Sequence, residues 1–226
     1  MPFDVESLPL ELKIGQMMMA GYSGSAPPPH IRRRVSDGSL GGIILFAHPS
    51  LSAAEMRLLT ARLQEAAMGG ASGLPLLIAT DQEGGRVSRL SPPLTKFPTA
   101  RLIGAAGSEE LAEEMGAAVA AELLAVGVNM NLAPVLDILT NPSNPVIGDR
   151  ALGDDRRLVA RLGRALIRGM QKTGVMAVAK HFPGHGDTSF DSHQVSGAVG
   201  QGEEVLWRRE LLPLRAAMEE VVGAVM

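Results

Sequence analysis

The sequence contains no cysteine. That excludes disulfides, thiolate metal sites and a cysteine nucleophile, and leaves the compartment open. Aromatic residues make up only 3% of the 226 residues, so Leu, Val, Ala and 12 Met must fill the core. No apolar run approaches the ~20 residues a membrane span requires. The opening "MPFDVESLPLELKIGQ" lacks a basic segment followed by an apolar stretch, so it does not read as a secretory signal, and a cytoplasmic protein is expected. The net charge of −3 offers no basic surface, so neither nucleic acid nor an anionic membrane is expected as partner. No G-x-G-x-x-G or Walker pattern opens a helix, which argues against nucleotide-binding folds, and no cofactor is implied.

What remains is 46% hydrophobic and 20% charged, enough for a substantial core in one large domain or two small ones. Short apolar runs bounded by Gly or Pro recur at Gln16–Ala20 (weak), Gly42–Phe46, Leu74–Ala79, Val128–Val135, Val175–Ala179 and Val221–Met226. They are nearly continuous rather than alternating, as in parallel strands buried on both faces. Helical stretches lie between them. Ser52–Met68 carries Met56, Leu59 and Leu63 at helical spacing. Ser108 is placed to cap a helix reaching about Ala125, with Glu109 and Glu110 in its first turn and Gly127 after it. Asp154 is placed to open a helix that stops before Gly174. A short basic helix is expected within residues 26–38. Gln201–Glu220 is helical in pattern, with Pro213 expected to kink or split it.

Four apolar runs end in chemically rich clusters: Ala47-His48-Pro49, Thr80 to Arg86, Ala133 to Asp137, and Lys180 to His185. Functional groups at the C-terminal ends of several strands suit a (β/α)8 barrel. The expected class is therefore α/β and TIM-barrel-like. About six strands are readable where a closed barrel needs eight, and the chain stops in the strand-like run "VVGAVM". Residues 1–226 are thus expected to be the front part of a longer barrel domain.

The segment "KHFPGHGDTSFDSH", residues 180–193, holds three of the five histidines. Pro183, Gly184 and Gly186 make it a loop and remove the helical geometry that would justify H-x-x-x-H as a metal chelate. No metal is expected, although a metal-dependent hydrolase stays open as an alternative. Asp191 lies two residues from His193. Such a carboxylate can fix the tautomer of an imidazole and leave its Nε2 to move a proton, the work of a general acid/base. A solvated loop with a casual Asp–His contact is the plain alternative. Asp81 and Glu83 form a carboxylate pair at a strand end. Arg150 could clamp an anion or hydroxyls, or pair with Asp149 or Asp154. Lys180 ends an apolar strand, where a lone Lys points to function.

Together "KHFPGHGDTSFDSH", "ATDQEGGRVSRL", "NLAPVLDI" and "NPVIGDRALG" resemble the β-N-acetylglucosaminidases of glycoside hydrolase family 3, as do "LELKIGQMMMAG" and "GGIILFAHP". The resemblance covers nearly the whole chain, in order. It implies hydrolysis of terminal β-linked N-acetylglucosamine by a retaining mechanism, with a small carbohydrate or muropeptide substrate from peptidoglycan recycling. It makes His193 the acid/base with Asp191 as dyad partner. Lys180, His181, Asp81, Arg150 and, less directly, Arg86 become sugar-binding groups, while Gly184, His185, Gly186, Asp187 and Thr188 shape the loop. Gly184, Gly186 and Ser189 are expected to leave that loop free to move. A neutral imidazole does not repel an anion, so phosphate could compete with water as acceptor.

The family's nucleophile is an aspartate on a later strand. After Asp191 the only carboxylates are Glu203, Glu204, Glu210, Glu219 and Glu220, all in helical pattern. No residue here takes that role, and the chain alone is expected to be inactive. A non-catalytic sugar-binding barrel and a β-glucosidase-type member are the other readings.

Overall fold

A computed structural model describes residues 5–46, 51–191, 194 and 200–226. The chain forms two compact units: Met1–Thr80 with Arg89–Leu94 and Leu123–Met130, and Asp81–Ser88 with Thr95–Glu122 and Asn131–Met226.

In the first unit, strands β1 (Met19–Gly21), β2 (Gly42–Leu45) and β3 (Leu77–Thr80) pair in parallel, with Met19 opposite Gly42 and Gly42 opposite Leu77. Ile43 and Ile78 are wholly buried, as the continuous apolar runs require. Helix α1 covers Leu10–Gln16. Helix α2, Pro29–Ser36, starts on a proline whose fixed φ suits the first turn, and buries Ile31 and Val35. Helix α3, Ala53–Met68, opens on a capping box in which Ser52 Oγ accepts from Glu55 N while the Glu55 carboxylate accepts from Ser52 N. Such a cap contributes about 1 kcal/mol. Met56 and Leu63 of α3 are buried, and the Thr60 hydroxyl donates to the Val126 carbonyl at 2.8 Å.

In the second unit, β4 (Gln82–Gly84) and β5 (Val87–Ser88) make an antiparallel hairpin. Helices α4 (Ala100–Ala106) and α5 (Glu109–Ala125) follow, with Ser108 Oγ accepting from Leu111 N as expected. Strand β6 is only Met130–Asn131, far shorter than the expected Val128–Val135. Two causes are visible. Asn131 spends its side-chain amide on the Gln82 backbone, accepting from its N and donating to its O, both at 3.0 Å. Pro134 has no N–H to give a ladder. The chain stays extended nonetheless, and residues 133–136 pair with strand β7 (Met176–Ala179): Val178 N and Lys180 N donate to the Ala133 and Pro134 carbonyls, and Leu136 N donates to Lys180 O.

Helix α6, Arg156–Thr173, is capped by Asp155, one residue beyond the expected Asp154, because Asp155 Oδ1 accepts from both Arg157 N and Leu158 N. Gly174 closes it in the left-handed conformation at φ 105°. Gly116 of α5 and Gly169 of α6 let the two helices meet backbone to backbone: a Cβ on either would lie within 2.4 Å of a carbonyl oxygen of the other helix. The final helical region is split, as the proline suggested. A short α7 (Glu203–Val205) leads into a π-helical turn, Leu206–Glu210, and then α8 (Leu211–Glu219), with Pro213 buried in its first turn. Strand β8, Ala224–Val225, pairs in parallel with β7.

The class is α/β. Six strands, β1 to β3 and β6 to β8, alternate with helices in the manner of an incomplete TIM-barrel-like fold. Among the described residues no helix is long and apolar enough to cross a membrane.

Candidate functional site

The predicted site residues of the second unit converge where β7 ends. Lys180 follows β7 directly, and its side chain is 2% exposed. Its ammonium bridges two carboxylates, Asp81 Oδ1 at 2.8 Å and Glu83 Oε1 at 2.6 Å. Glu83 is in turn gripped by Arg150, Nε to Oε2 and Nη2 to Oε1, each at 2.8 Å. This fork-to-fork geometry is the strong form of the ion pair. Burial alone would raise the Glu83 pKa; the Arg150 hydrogen bonds and the Lys180 charge outweigh it and hold the carboxyl below its usual value. Arg150 responds in kind: burial opposes its charge, but Glu83, with help from Asp137 and Asp81, raises its pKa. The pairing of Arg150 with Glu83 replaces the expected alternatives, Asp149 and Asp154.

His181 connects this cluster to the following loop. Its Nε2 faces Arg150 Nη2 at 3.4 Å, and its Nδ1 lies 2.5 Å from Asp137 Oδ2. The other oxygen of Asp137 accepts from His185 N at 2.6 Å. The peptide bonds Lys180–His181 and Phe182–Pro183 are cis.

The loop from Pro183 to Thr188 packs closely against its neighbours. A Cβ on Gly186 would come within 1.9 Å of the Ile138 carbonyl oxygen, and one on Gly184 within 2.9 Å of Glu210. These two glycines therefore serve close packing. Asn144, buried, donates to the carbonyls of His185 and Thr188 and accepts from Val146 N and Ile147 N. His185 Nδ1 meets Thr188 Oγ1 at 2.6 Å. Asp187 accepts from Thr140 Oγ1 at 2.6 Å, and also meets Gln201 Nε2 and Arg209 Nη2.

Arg86 stands apart from the Lys180 cluster. It binds Asp149 at 3.0 Å and the Val146 carbonyl, holding the turn that carries Arg150. Asp191 accepts from the Gln194 side chain at 3.2 Å. His193 and the Ala47-His48-Pro49 cluster lie outside the described residues. Among the described residues no group of three or more His, Asp or Glu side chains is arranged to hold a metal ion.

Residues 9–226 match the glycosyl hydrolase family 3 N-terminal domain. The chain belongs to that family. It is 39% identical over 190 residues to beta-hexosaminidase A of Pseudoalteromonas piscicida, covering 82% of this chain and 32% of that one. Among solved structures, a glycoside hydrolase family 3 beta-N-acetylglucosaminidase from Paenibacillus sp. str. FPU-7 superposes with a TM-score of 0.92 at 46% identity, covering 97% of this chain and 42% of that one. NagZ of Neisseria gonorrhoeae, solved with N-trifluoroacetyl-D-glucosamine, gives a TM-score of 0.84 at 33% identity, covering 92% and 62%. In each case this chain spans less than two thirds of the relative's own length.

Within this family member, Asp81, Arg150, Lys180 and His181 are brought together, and Arg86 is joined to them only through the turn it holds. Three organising residues are not assigned by the sequence. Glu83 reads there only as half of a carboxylate pair. Asp137 was visible at the end of an apolar run, the one signal that could have singled it out. Asn144 carried no signal, since an Asn between two prolines reads simply as a turn.

Proposed function

We propose that the protein is a β-N-acetylhexosaminidase that removes terminal, non-reducing β-linked N-acetylglucosamine with retention, and that residues 1–226 form its N-terminal catalytic barrel domain. The observation that carries this reading is the partly buried, mutually paired cluster of Lys180, Asp81, Glu83, Arg150 and His181. Sugar hydroxyls both donate and accept, so a set of fixed cations, carboxylates and an imidazole binds them without reorganising. Membership of the family and relatives named beta-hexosaminidase support the reaction class. The N-trifluoroacetyl-D-glucosamine complex of a neighbour supports the sugar class.

In this reading Asp81, Lys180, His181 and Arg150 hold the hydroxyls, and Arg86 supports the pocket through the turn at Arg150. Gly184 to Thr188 shape the wall. His193, oriented by Asp191, protonates the leaving oxygen and then activates the water that releases the sugar. Muropeptides are the substrate and the cytoplasm the place. The attacking carboxylate is not assigned to this chain, because Glu203, Glu204, Glu210, Glu219 and Glu220 all sit on or beside helical turns. These 226 residues alone are expected to bind the sugar weakly or not at all, and not to turn it over.

Calorimetric titration with N-acetylglucosamine and with glucose tests the sugar class, with tighter binding of the N-acetyl sugar expected. Equal affinity for both, or tighter binding of glucose, would overturn it. A chromogenic N-acetyl-β-glucosaminide tests the missing nucleophile, and rapid turnover by this chain would refute that part.

A further inference from the structure

We infer that Asp137 is a positioning residue of the site, fixing the tautomer of His181 through one carboxylate oxygen and seating the loop at His185 through the other. The inference deepens the reading above and rests on it for the choice of sugar ligand. Asp137 is wholly buried at the end of the extended segment that pairs with β7, and each of its oxygens has its own partner: His181 Nδ1 at 2.5 Å and His185 N at 2.6 Å.

The tautomer follows from the two neighbours of the ring. A guanidinium has donors only, so His181 Nε2, facing Arg150 Nη2, must be the acceptor. The proton therefore sits on Nδ1, where a carboxylate, which only accepts, receives it. Both sides specify the same form. Arg150 cannot turn away, because Glu83 holds two of its nitrogens. Lys180 and Arg150 can only donate. The single lone pair of Nε2 thus faces Arg150 Nη2, so the ring helps to hold the guanidinium that Glu83 also grips, in the place where it can donate to a sugar hydroxyl.

The second oxygen makes the arrangement testable. In Asp137→Asn one oxygen becomes an NH2 group of nearly the same shape. The backbone N–H of His185 is an obligate donor and the imidazole is not. The remaining carbonyl oxygen must then face His185, and the NH2 group must face His181 Nδ1. The ring is forced to shed its Nδ1 proton and carry it on Nε2, pointing at Arg150, donor against donor.

Nitrogen-15 NMR of histidine-labelled protein, with His181 assigned through His181→Gln, reads the tautomer directly and needs no activity. The wild type is expected to show a protonated Nδ1 and a bare Nε2, and Asp137→Asn the reverse, with the rest of the amide spectrum unchanged. N-acetylglucosamine should bind the variant about tenfold more weakly, the equivalent of one hydrogen bond. A wild-type His181 protonated on Nε2 would overturn the inference, even if the variant failed to fold. So would a variant that keeps the wild-type tautomer, or one that binds the sugar unchanged. A wild type that shows the expected tautomer but binds glucose as tightly as N-acetylglucosamine would count against the proposed function and leave the role of Asp137 in place.

Discussion

Arg150 offers two nitrogens to the two oxygens of Glu83, each at 2.8 Å, in a site where their side chains are 12% and 5% exposed. A pair this buried is costly to break from one side, because Glu83 would lose both guanidinium hydrogen bonds and be left sharing the single cation Lys180 with Asp81. Arg150→Met should destabilise the protein by about 3 kcal/mol or more in urea titration. The loss should shrink when Glu83→Gln is added, since the stranded charge is then gone. The pH dependence has a definite sign. The folded pKa of Glu83 is lowered, so its stabilisation is present above the unfolded glutamate range and disappears as pH falls through the folded value.

Gly186→Ala should cost about 1–3 kcal/mol, because its Cβ would collide with the Ile138 carbonyl oxygen. Gly200→Ala, with nothing among the described residues within 4 Å of its Cβ, is the control and should be near neutral. Thermal unfolding of the two variants separates packing from a general effect of glycine replacement.

Glu210 is buried on the π-helical turn with Arg209 Nε on one oxygen at 2.6 Å. Burial raises its pKa, and Asp187 and Asp137 add to the rise against the opposing charge of Arg209. A raised carboxyl costs nothing extra while protonated and destabilises the fold once ionised. The wild type should therefore lose stability relative to Glu210→Gln as pH climbs from the unfolded glutamate range through the folded value. A difference between the two proteins that stays constant across a pH series of urea titrations would contradict this.

Val221 sits at φ 55° at the end of α8, in a region that β-branched residues avoid, and its side chain meets solvent. Val221→Gly should therefore relieve about 1 kcal/mol of backbone strain and raise the melting temperature by about 2–4 °C. An unchanged or lower melting temperature would show that the strain is small.

The sequence alone determined what is local. Ser52, Ser108 and Gly174 mark helix ends through hydrogen bonds and a left-handed turn made within a few residues, so their chemistry is legible in order. Asp154 missed the true cap, Asp155, by one position because adjacent aspartates look alike until one aims its oxygen at the helix. The continuous apolar runs declared buried parallel strands, since both faces of such strands are covered. They overstated β6, because Asn131 trades its side chain for a backbone partner that only folding brings near. Lys180, His181, Asp81 and Arg150 could be named from their motifs. Their partners could not. Lys180 and Asp81 are 99 residues apart, and His181 and Asp137 are 44 apart. That Gly184 and Gly186 also make room for close packing could not be read in sequence, because Ile138 and Glu210 approach them only in the folded chain. Residue types set which charges the site would hold. Tertiary structure decided which of them neutralise one another, because a buried charge takes whichever opposite charge the fold delivers within hydrogen-bond reach.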